Sequence, residues 1–506
     1  MLLSFLIIIP LLSSLLSYFL YRFKEYFPRW IALIATMSVF LIILRMWLQK
    51  QYCTHQFNEL SIWNNQFIMP WIPKFGIEFN LFVDGLSLLM LFLTCVLSII
   101  AILVSWKTIK ENEGFFYFNF LMLLSGTIGV FISRDLFLFF FFWEIILIPT
   151  YFLIALWGKN IDQKNACVTV ANKFFIYMQV SGLFMFISIL ILAYSYYKST
   201  NILTFNYDLL SYNTLDINTE CIVLLGFFLA CFIKMPVVPF HGWLPDFHVQ
   251  SLSCGTVEIV GLLLKTAPYA LLRISLVLCP HATEKFVYFV IIIGITSVFY
   301  GSILAFSQNN VKKLIAYSSI SHMGLILISI YSKSEISLQG AVVQMLSSSF
   351  CTAALCILSG YLYTILHTQD IRKMGGLWSC MYWIPGLTLF FSLSNFGLPG
   401  TGNFVGEFLI LLGLFQIHPI LSSLLTVSIL FSALYSLNLV QRIFYGVCKQ
   451  HILKKQIYKK DVFIMMILIL ILVFLGLYPQ KILDISYVPL HDIHQKFMHP
   501  ITAIRF

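Results

Sequence analysis

Apolar runs close to 20 residues long recur from one end of the 506-residue sequence to the other, and no other feature restricts the fold so strongly. A run of about 20 apolar residues crosses about 30 Å of hydrocarbon as a helix, and a helix satisfies its own backbone donors and acceptors, as lipid requires. About fourteen runs can be marked, at 2–21, 30–48, 81–106, 115–132, 136–157, 174–195, 222–240, 252–278, 286–306, 314–332, 339–363, 384–411, 419–445 and 462–478. With 60% hydrophobic and 10% charged residues, the chain has too little polar surface for water. No Gly/Ser-rich or Pro-rich linker divides it, so 1–506 reads as one transmembrane domain in an all-α polytopic fold. The first run is longer than a signal-peptide core and no basic residue precedes it, so it is expected to be a retained helix. No Arg-rich presequence is visible, as expected of direct insertion into a membrane.

The formal charge of +10 need not mean nucleic acid. Sorting the connectors alternately to two sides puts seventeen Lys and Arg on one, including Arg22, Lys107, Lys164, Lys312, Arg372 and Lys455, and nine on the other. The positive-inside rule then places both termini outside and the basic connectors inside, with an even number of spans. Most of the eleven cysteines lie within apolar runs, without C-x-x-C spacing. There is no G-x-G-x-x-G fingerprint or P-loop, so no recognisable motif binds NAD, flavin or ATP, and the energy input is expected from elsewhere.

Ionisable residues that interrupt the apolar runs carry the functional information, because each is costly to hold in hydrocarbon unless paired or hydrated. Glu144 follows Phe139-Phe-Phe-Phe-Trp143 near the middle of a span; it reads either as a proton carrier or as a carboxylate tying two helices together. Lys234 lies deep in its run, immediately before Pro236 and Pro239, which break the helix where protein or water must replace the lost backbone bonds. With Glu144 it forms a tunable pair suited to proton transfer, or a static ion pair. Lys265 and Glu258, seven residues apart, share a helix face. His322 reads either as a relay or as a hydrogen-bonded core residue. Glu407 follows Gly397, Pro399, Gly400 and Gly402, a second interrupted span beside a charge. Two broken helices, one per half of the chain, are the pattern of transporters built from repeats. His241 and His248 flank Gly242-Trp-Leu-Pro-Asp246 on the basic side, either at the mouth of a proton inlet or in a structural connector; no third metal ligand is evident.

Together, Lys234-Met-Pro-Val-Val-Pro-Phe-His241-Gly-Trp-Leu-Pro-Asp246, Gly261-Leu-Leu-Leu-Lys265, Ile315-Ala-Tyr-Ser-Ser-Ile-Ser-His322-Met-Gly324 and Gly397-Leu-Pro-Gly-Thr-Gly-Asn-Phe-Val-Gly-Glu407-Phe resemble the antiporter-like membrane subunits of respiratory complex I over about residues 80 to 480. The acid at Glu407 makes the subunit 4 branch the nearest, since sister branches and cation/proton antiporters usually carry lysine there. The resemblance implies about fourteen helices: N-terminal helices in 1–114, two inverted five-helix repeats in 115–278 and 279–445, and a C-terminal helix and tail in 446–506. It also implies a coupled pair at Glu144 and Lys234, a central relay at Lys265 and His322, and a terminal residue at Glu407. The role implied for the chain is proton translocation in NADH:ubiquinone oxidoreductase, driven by quinone reduction elsewhere in the complex. NADH, FMN, iron–sulfur clusters and quinone would be held by partner subunits, the sister subunits 2 and 5 and lipids would be neighbours, and nucleic acid would not. Two departures stand out: Ser251-Leu-Ser253 where the family has Ala-Pro-Thr, and Ser348-Ser349 where it has His-Gly. At the second, water and hydroxyls bridge the gap or His322 alone suffices. The 49 phenylalanines suggest AT-rich coding and favour the mitochondrial inner membrane over a bacterial plasma membrane. The rival readings are a stand-alone cation/proton antiporter of the same fold, with Glu258 as its extra acid, and a structural subunit whose charges only hold helices together.

Overall fold

The computed structural model describes residues 2–49, 66–106, 108–158, 166–213, 215–252, 259–447 and 459–498. Among them, thirteen helices are long and apolar enough to cross a membrane: Leu2–Leu20, Phe27–Leu48, Gly85–Ser105, Glu113–Ile132, Leu136–Trp157, Ala166–Thr200, Ile217–Lys234, Gly261–Leu278, Pro280–Ser307, Val311–Ile330, Glu335–Leu366, Pro419–Phe444 and Lys459–Leu477. One further span is interrupted and consists of Ile384–Asn395 and Gly402–Ile417. The all-α polytopic fold with about fourteen spans is therefore borne out. Isolated backbone bridges respect the alternation of sides: Leu81 with Ser133 and Asp135 with Asn206 join connectors expected outside, and Asn310 with Asp370 joins two expected on the basic side.

Apolar side chains such as Phe19, Leu41, Ile303, Leu430 and Leu470 are exposed around the perimeter, where hydrocarbon would meet them. Polar side chains turn inward. The Glu335–Leu366 helix is the axis, packed against Val311–Ile330, the broken span, Lys459–Leu477 and Gly85–Ser105. It buries Gln344, Ser347, Ser348, Ser349, Thr352 and Ser359. Most of these hydroxyls donate to a carbonyl three or four residues back, as Ser349 does to Met345 and Thr352 to Ser348. This local bond lets a serine sit in a helix without an unsatisfied donor.

Both expected helix breaks are present, each with its freed backbone groups satisfied by protein. Ile217–Lys234 ends where Pro236 and Pro239 supply no amide hydrogen. There the Val237 amide donates to Phe232 O at 3.1 Å, the Val238 amide to Ser297 Oγ at 3.1 Å, and the Trp243 indole to Ile233 O at 2.9 Å. The chain resumes as a short turn at Phe240–Trp243 and the helix Leu244–Gln250. In the second break, Gly397 and Gly400 take φ of 84° and 92°, the left-handed region that favours glycine. The Leu398 amide donates to Leu393 O at 3.1 Å, and the Asn403 side-chain amide donates to Ser394 O at 2.8 Å. The breaks fall five spans apart, so the broken helices cross the membrane in opposite directions, as inverted repeats require.

Two elements depart from the sequence reading. Gln66–Ile72 and Ile77–Phe82 form an antiparallel hairpin turning at Gly76, whose φ is 65°. The C-terminal tail carries a helix, Gln480–Met498, that buries Ile482, Ile485, Pro489, Leu490, Ile493 and Phe497 on one face. Neither stands out against the apolar runs, because each is short or half polar. The tail helix seats against the start of Gly85–Ser105, where a side chain on Gly85 would strike the Ile485 carbonyl. Asp84 caps that start, accepting from the Ser87 amide at 2.7 Å, and is ion-paired with Arg273.

Candidate functional site: a buried polar line

Lys234, Lys265, His322 and Glu407 are all buried, at 2%, 2%, 3% and 7% exposure, and each is held by a different span. Apolar residues surround them, so whatever polar partners they have must come from facing helices. From Lys265 onward these partners follow one another, reaching the Gln344 main-chain carbonyl from one side and its side-chain amide from the other. Lys265 Nζ donates to Ser348 Oγ at 3.0 Å, and Ser348 Oγ donates to Gln344 O at 2.5 Å, one turn back on the axial helix. The Gln344 amide nitrogen lies 3.2 Å from His322 Nδ1 and 3.4 Å from Glu407 Oε1. His322 Nδ1 and Glu407 Oε1 are 3.6 Å apart, and His322 Nε2 faces Asn395 Oδ1 at 3.1 Å.

The two breaks position this line. Lys234 is the last residue of its helix, and Asn395 ends the helix before the second break. Gly397 lies so close to Glu407 that an added Cβ would meet the carboxylate Oε2. A cavity of about 20 Å³ adjoins His322 and Glu407 and is lined also by Ser321, Ser428, Ser432 and Tyr435. It has room for one water and enough polar atoms to hold it.

Glu144 and Lys234 do not touch. Lys234 Nζ lies 3.4 Å from the centroid of the Trp143 ring, a cation–π contact that substitutes for a carboxylate partner. Glu144 packs against Gly182, where an added Cβ would strike its Oε1, and that oxygen is buried without a hydrogen-bond partner among the described residues.

His241 is half-buried against the Tyr300 and Tyr317 rings, near the ion pair of Lys173 with Asp246 at 2.7 Å. Burial, then the Lys173 ammonium, lowers its pKa. His248 is fully buried, and neither ring nitrogen has a hydrogen-bond partner among the described residues. Burial, then the Lys312 ammonium, pushes it down to about 3. Glu258 and Ser253 lie outside the described residues.

Reasoning from charge alone finds the ionisable groups and misses what connects them. Gln344 and Asn395 are uncharged, and their signal is faint: an amide inside a wholly buried run and an amide at the edge of a glycine-rich break. The loss of the family histidine at Ser348 directs attention to the right position, and the serine makes the contact to Lys265. Arg273, eight residues beyond Lys265 in the same span, is a further charge there, ion-paired with Asp84.

Three comparisons bear on this arrangement. Residues 133–432 match the family described as NADH:quinone oxidoreductase/Mrp antiporter, TM. Over its whole length the chain is 58% identical to NADH-quinone oxidoreductase subunit M of Buchnera aphidicola subsp. Acyrthosiphon pisum, across 100% of both chains. It is 46% identical to the subunit of the same name from Escherichia coli (strain K12), again over 100% of both. A chain of respiratory complex I from Thermus thermophilus with bound NADH superimposes with a TM-score of 0.85 at 25% identity, covering 98% of this chain and 99% of that one. With more than half its length matched and full-length relatives well above 30% identity, the chain belongs to the NADH:quinone oxidoreductase/Mrp antiporter family of membrane proteins.

Proposed function

We propose that this chain is the proton-translocating antiporter-like subunit, of the subunit 4 type, in the membrane arm of an NADH:quinone oxidoreductase. The observation that carries the reading is the line from Lys265 through Ser348 and Gln344 to His322 and Glu407, hydrogen-bonded inside a membrane domain. Such a chain of ionisable and hydrogen-bonding groups has no structural need to be so long, and it is what proton transfer across lipid requires.

In this reading, quinone reduction in partner subunits, which hold NADH, flavin, iron–sulfur clusters and quinone, changes the field along the membrane arm. Glu144 approaches or leaves Lys234, which in the resting geometry leans on Trp143. Loss of the carboxylate favours the neutral amine, and the released proton moves through water to Lys265. From Lys265 it passes by hydroxyl and water to His322 and then to Glu407, beside the small cavity that Ser428 and Ser432 also line. His241 serves the inlet on the basic side, and His248, seven residues on, is kept neutral by burial. The sister subunits 2 and 5 and membrane lipids are the neighbours.

In this reading the membrane is a bacterial plasma membrane, and the mitochondrial inner membrane favoured from composition is set aside. AT-rich coding, the basis for favouring the mitochondrion, is not confined to organelles, and the relatives at 58% and 46% identity are bacterial. The stand-alone antiporter is the weaker reading, because the full-length relatives at 58% and 46% identity are quinone oxidoreductase subunits.

The test is Lys265→Ala in the intact complex reconstituted in vesicles. The expected result is assembly with retained NADH–quinone electron transfer and a lowered proton-to-electron ratio. A normal ratio would return the charges to a purely structural role.

A further inference from the structure

We propose that Gln344 is a latch between His322 and Glu407: a positioning residue that keeps a proton off the line joining them until His322 has been loaded. The proposal rests on the reading that His322 and Glu407 carry protons.

Gln344 is fully buried on the axial helix. Its amide nitrogen faces two atoms at once, His322 Nδ1 at 3.2 Å and Glu407 Oε1 at 3.4 Å. An amide NH₂ has two hydrogens and no available lone pair, so it is the donor in both contacts. His322 Nδ1 therefore presents its lone pair, and the ring hydrogen is on Nε2, donated to Asn395 Oδ1. Glu407 likewise presents an acceptor oxygen. The two acceptors are only 3.6 Å apart, within a small adjustment of direct hydrogen bonding, yet both are engaged by the amide and no hydrogen lies between them. A side-chain amide does not itself exchange protons as an acid or base in this range. Gln344 thus interrupts transfer and does not carry it.

Loading His322 reverses the contact. A proton on Nδ1 turns the acceptor into a donor, and two N–H groups then face one another across 3.2 Å. The other end of the amide has a reason to move: Gln344 Oε1 is buried and has no hydrogen-bond partner among the described residues. Turning the amide relieves the repulsion and releases Glu407 Oε1, which becomes the nearest carboxylate to Nδ1–H. The Nδ1–H bond breaks, an O–H bond forms on Glu407, and the ring returns to the neutral form that the amide can hold again. The titratable groups around the latch are His322 from Val311–Ile330, Glu407 from Gly402–Ile417, Lys265 through Ser348 from Gly261–Leu278, and Tyr435 from Pro419–Phe444 across the cavity. Gly406 lies against Oε1, where an added Cβ would meet that oxygen, so a larger residue there would hold the amide fixed.

The experiment uses the intact complex in sealed vesicles and compares wild type, Gln344→Met and Glu407→Gln. Met keeps the length of the side chain and removes both donors; Gln344→Leu stands in where Gln344→Met does not assemble. With the latch gone, His322 and Glu407 pair directly at rest. Proton leak under an imposed pH gradient, measured without NADH, is expected to rise roughly ten- to a hundredfold, the factor set by one hydrogen bond to a charged group. NADH–quinone electron transfer continues and the proton-to-electron ratio falls. A role confined to packing would lower assembly and both fluxes in parallel with the leak unchanged, and that result overturns the latch. If Glu407→Gln lowers the ratio while Gln344→Met matches wild type in leak and ratio, the latch fails and the proton path stands. If Glu407→Gln also pumps normally, the path itself fails.

Discussion

Lys265 has one hydrogen-bond acceptor among the described residues, Ser348 Oγ at 3.0 Å, so a single hydroxyl determines whether this buried ammonium is solvated by protein. Ser348→Ala removes it, at a cost of roughly 1–3 kcal/mol if the charge stays. The expected outcome is an assembled complex with a reduced proton-to-electron ratio. Ser348→His returns a side chain that both accepts and donates, and should keep the ratio near wild type; the pair of measurements separates hydrogen bonding from packing. Gly182 makes a second residue-scale case, because an added Cβ there would displace the Glu144 carboxylate. Gly182→Ala should slow turnover without preventing assembly, as Glu144 loses its place beside Trp143 and Lys234. His248 gives a pH dependence. Its pKa in the folded chain, about 3, lies below its ordinary 6.5, so the folded state binds fewer protons than the unfolded one. Its contribution to stability is complete above pH 6.5 and is lost as pH falls towards 3. His248→Gln should therefore flatten the acid side of the complex's thermal-stability profile and leave it unchanged near neutral pH. At this scale charge is what the sequence displays. Lys234, Lys265, His322 and Glu407 stand out against apolar neighbours, whereas Gln344 and Asn395, which join them, blend with the ordinary polar residues of a buried helix.

Among the elements, the two broken spans explain where two of the buried charges, Lys234 and Glu407, are held. Each break exposes backbone groups that lipid cannot satisfy, so each must be lined by protein, and a lined gap is where a charge can also be held. Proline and glycine made both breaks legible: Pro236 and Pro239 in one, Gly397 and Gly400 in the other. The side chains that complete them come from farther away in sequence. Ser297 reaches Val238 from Pro280–Ser307, two spans on, and Asn403 turns back to the Ser394 carbonyl. Asn403→Ala removes one of two donors to that carbonyl, which keeps the Gly397 amide at 3.1 Å, and should cost about 0.5–1.5 kcal/mol, read as a lower melting temperature of the purified complex. The tail helix Gln480–Met498 was missed because its apolar stripe is interleaved with charge and its run is too polar for a span. The hairpin was missed because strands of 7 and 6 residues leave little pattern between long helices.

Across the whole molecule, polarity is distributed as in a soluble protein turned inside out, with apolar side chains outward and a hydrogen-bonded polar axis within. The number of spans, their alternation and the family were legible because hydrocarbon thickness fixes helix length and the motif strings are long. The continuity of the axis was not, since it depends on which helices face one another. That continuity is the central claim, and if protons pass Lys265 and Glu407 in series, blocking both should do no more than blocking either. The direct measurement is the proton-to-electron ratio of the intact complex carrying Lys265→Ala, Glu407→Gln and both together. The series path predicts equal losses in all three. Losses that add in the double variant, or a normal ratio in either single one, would contradict it.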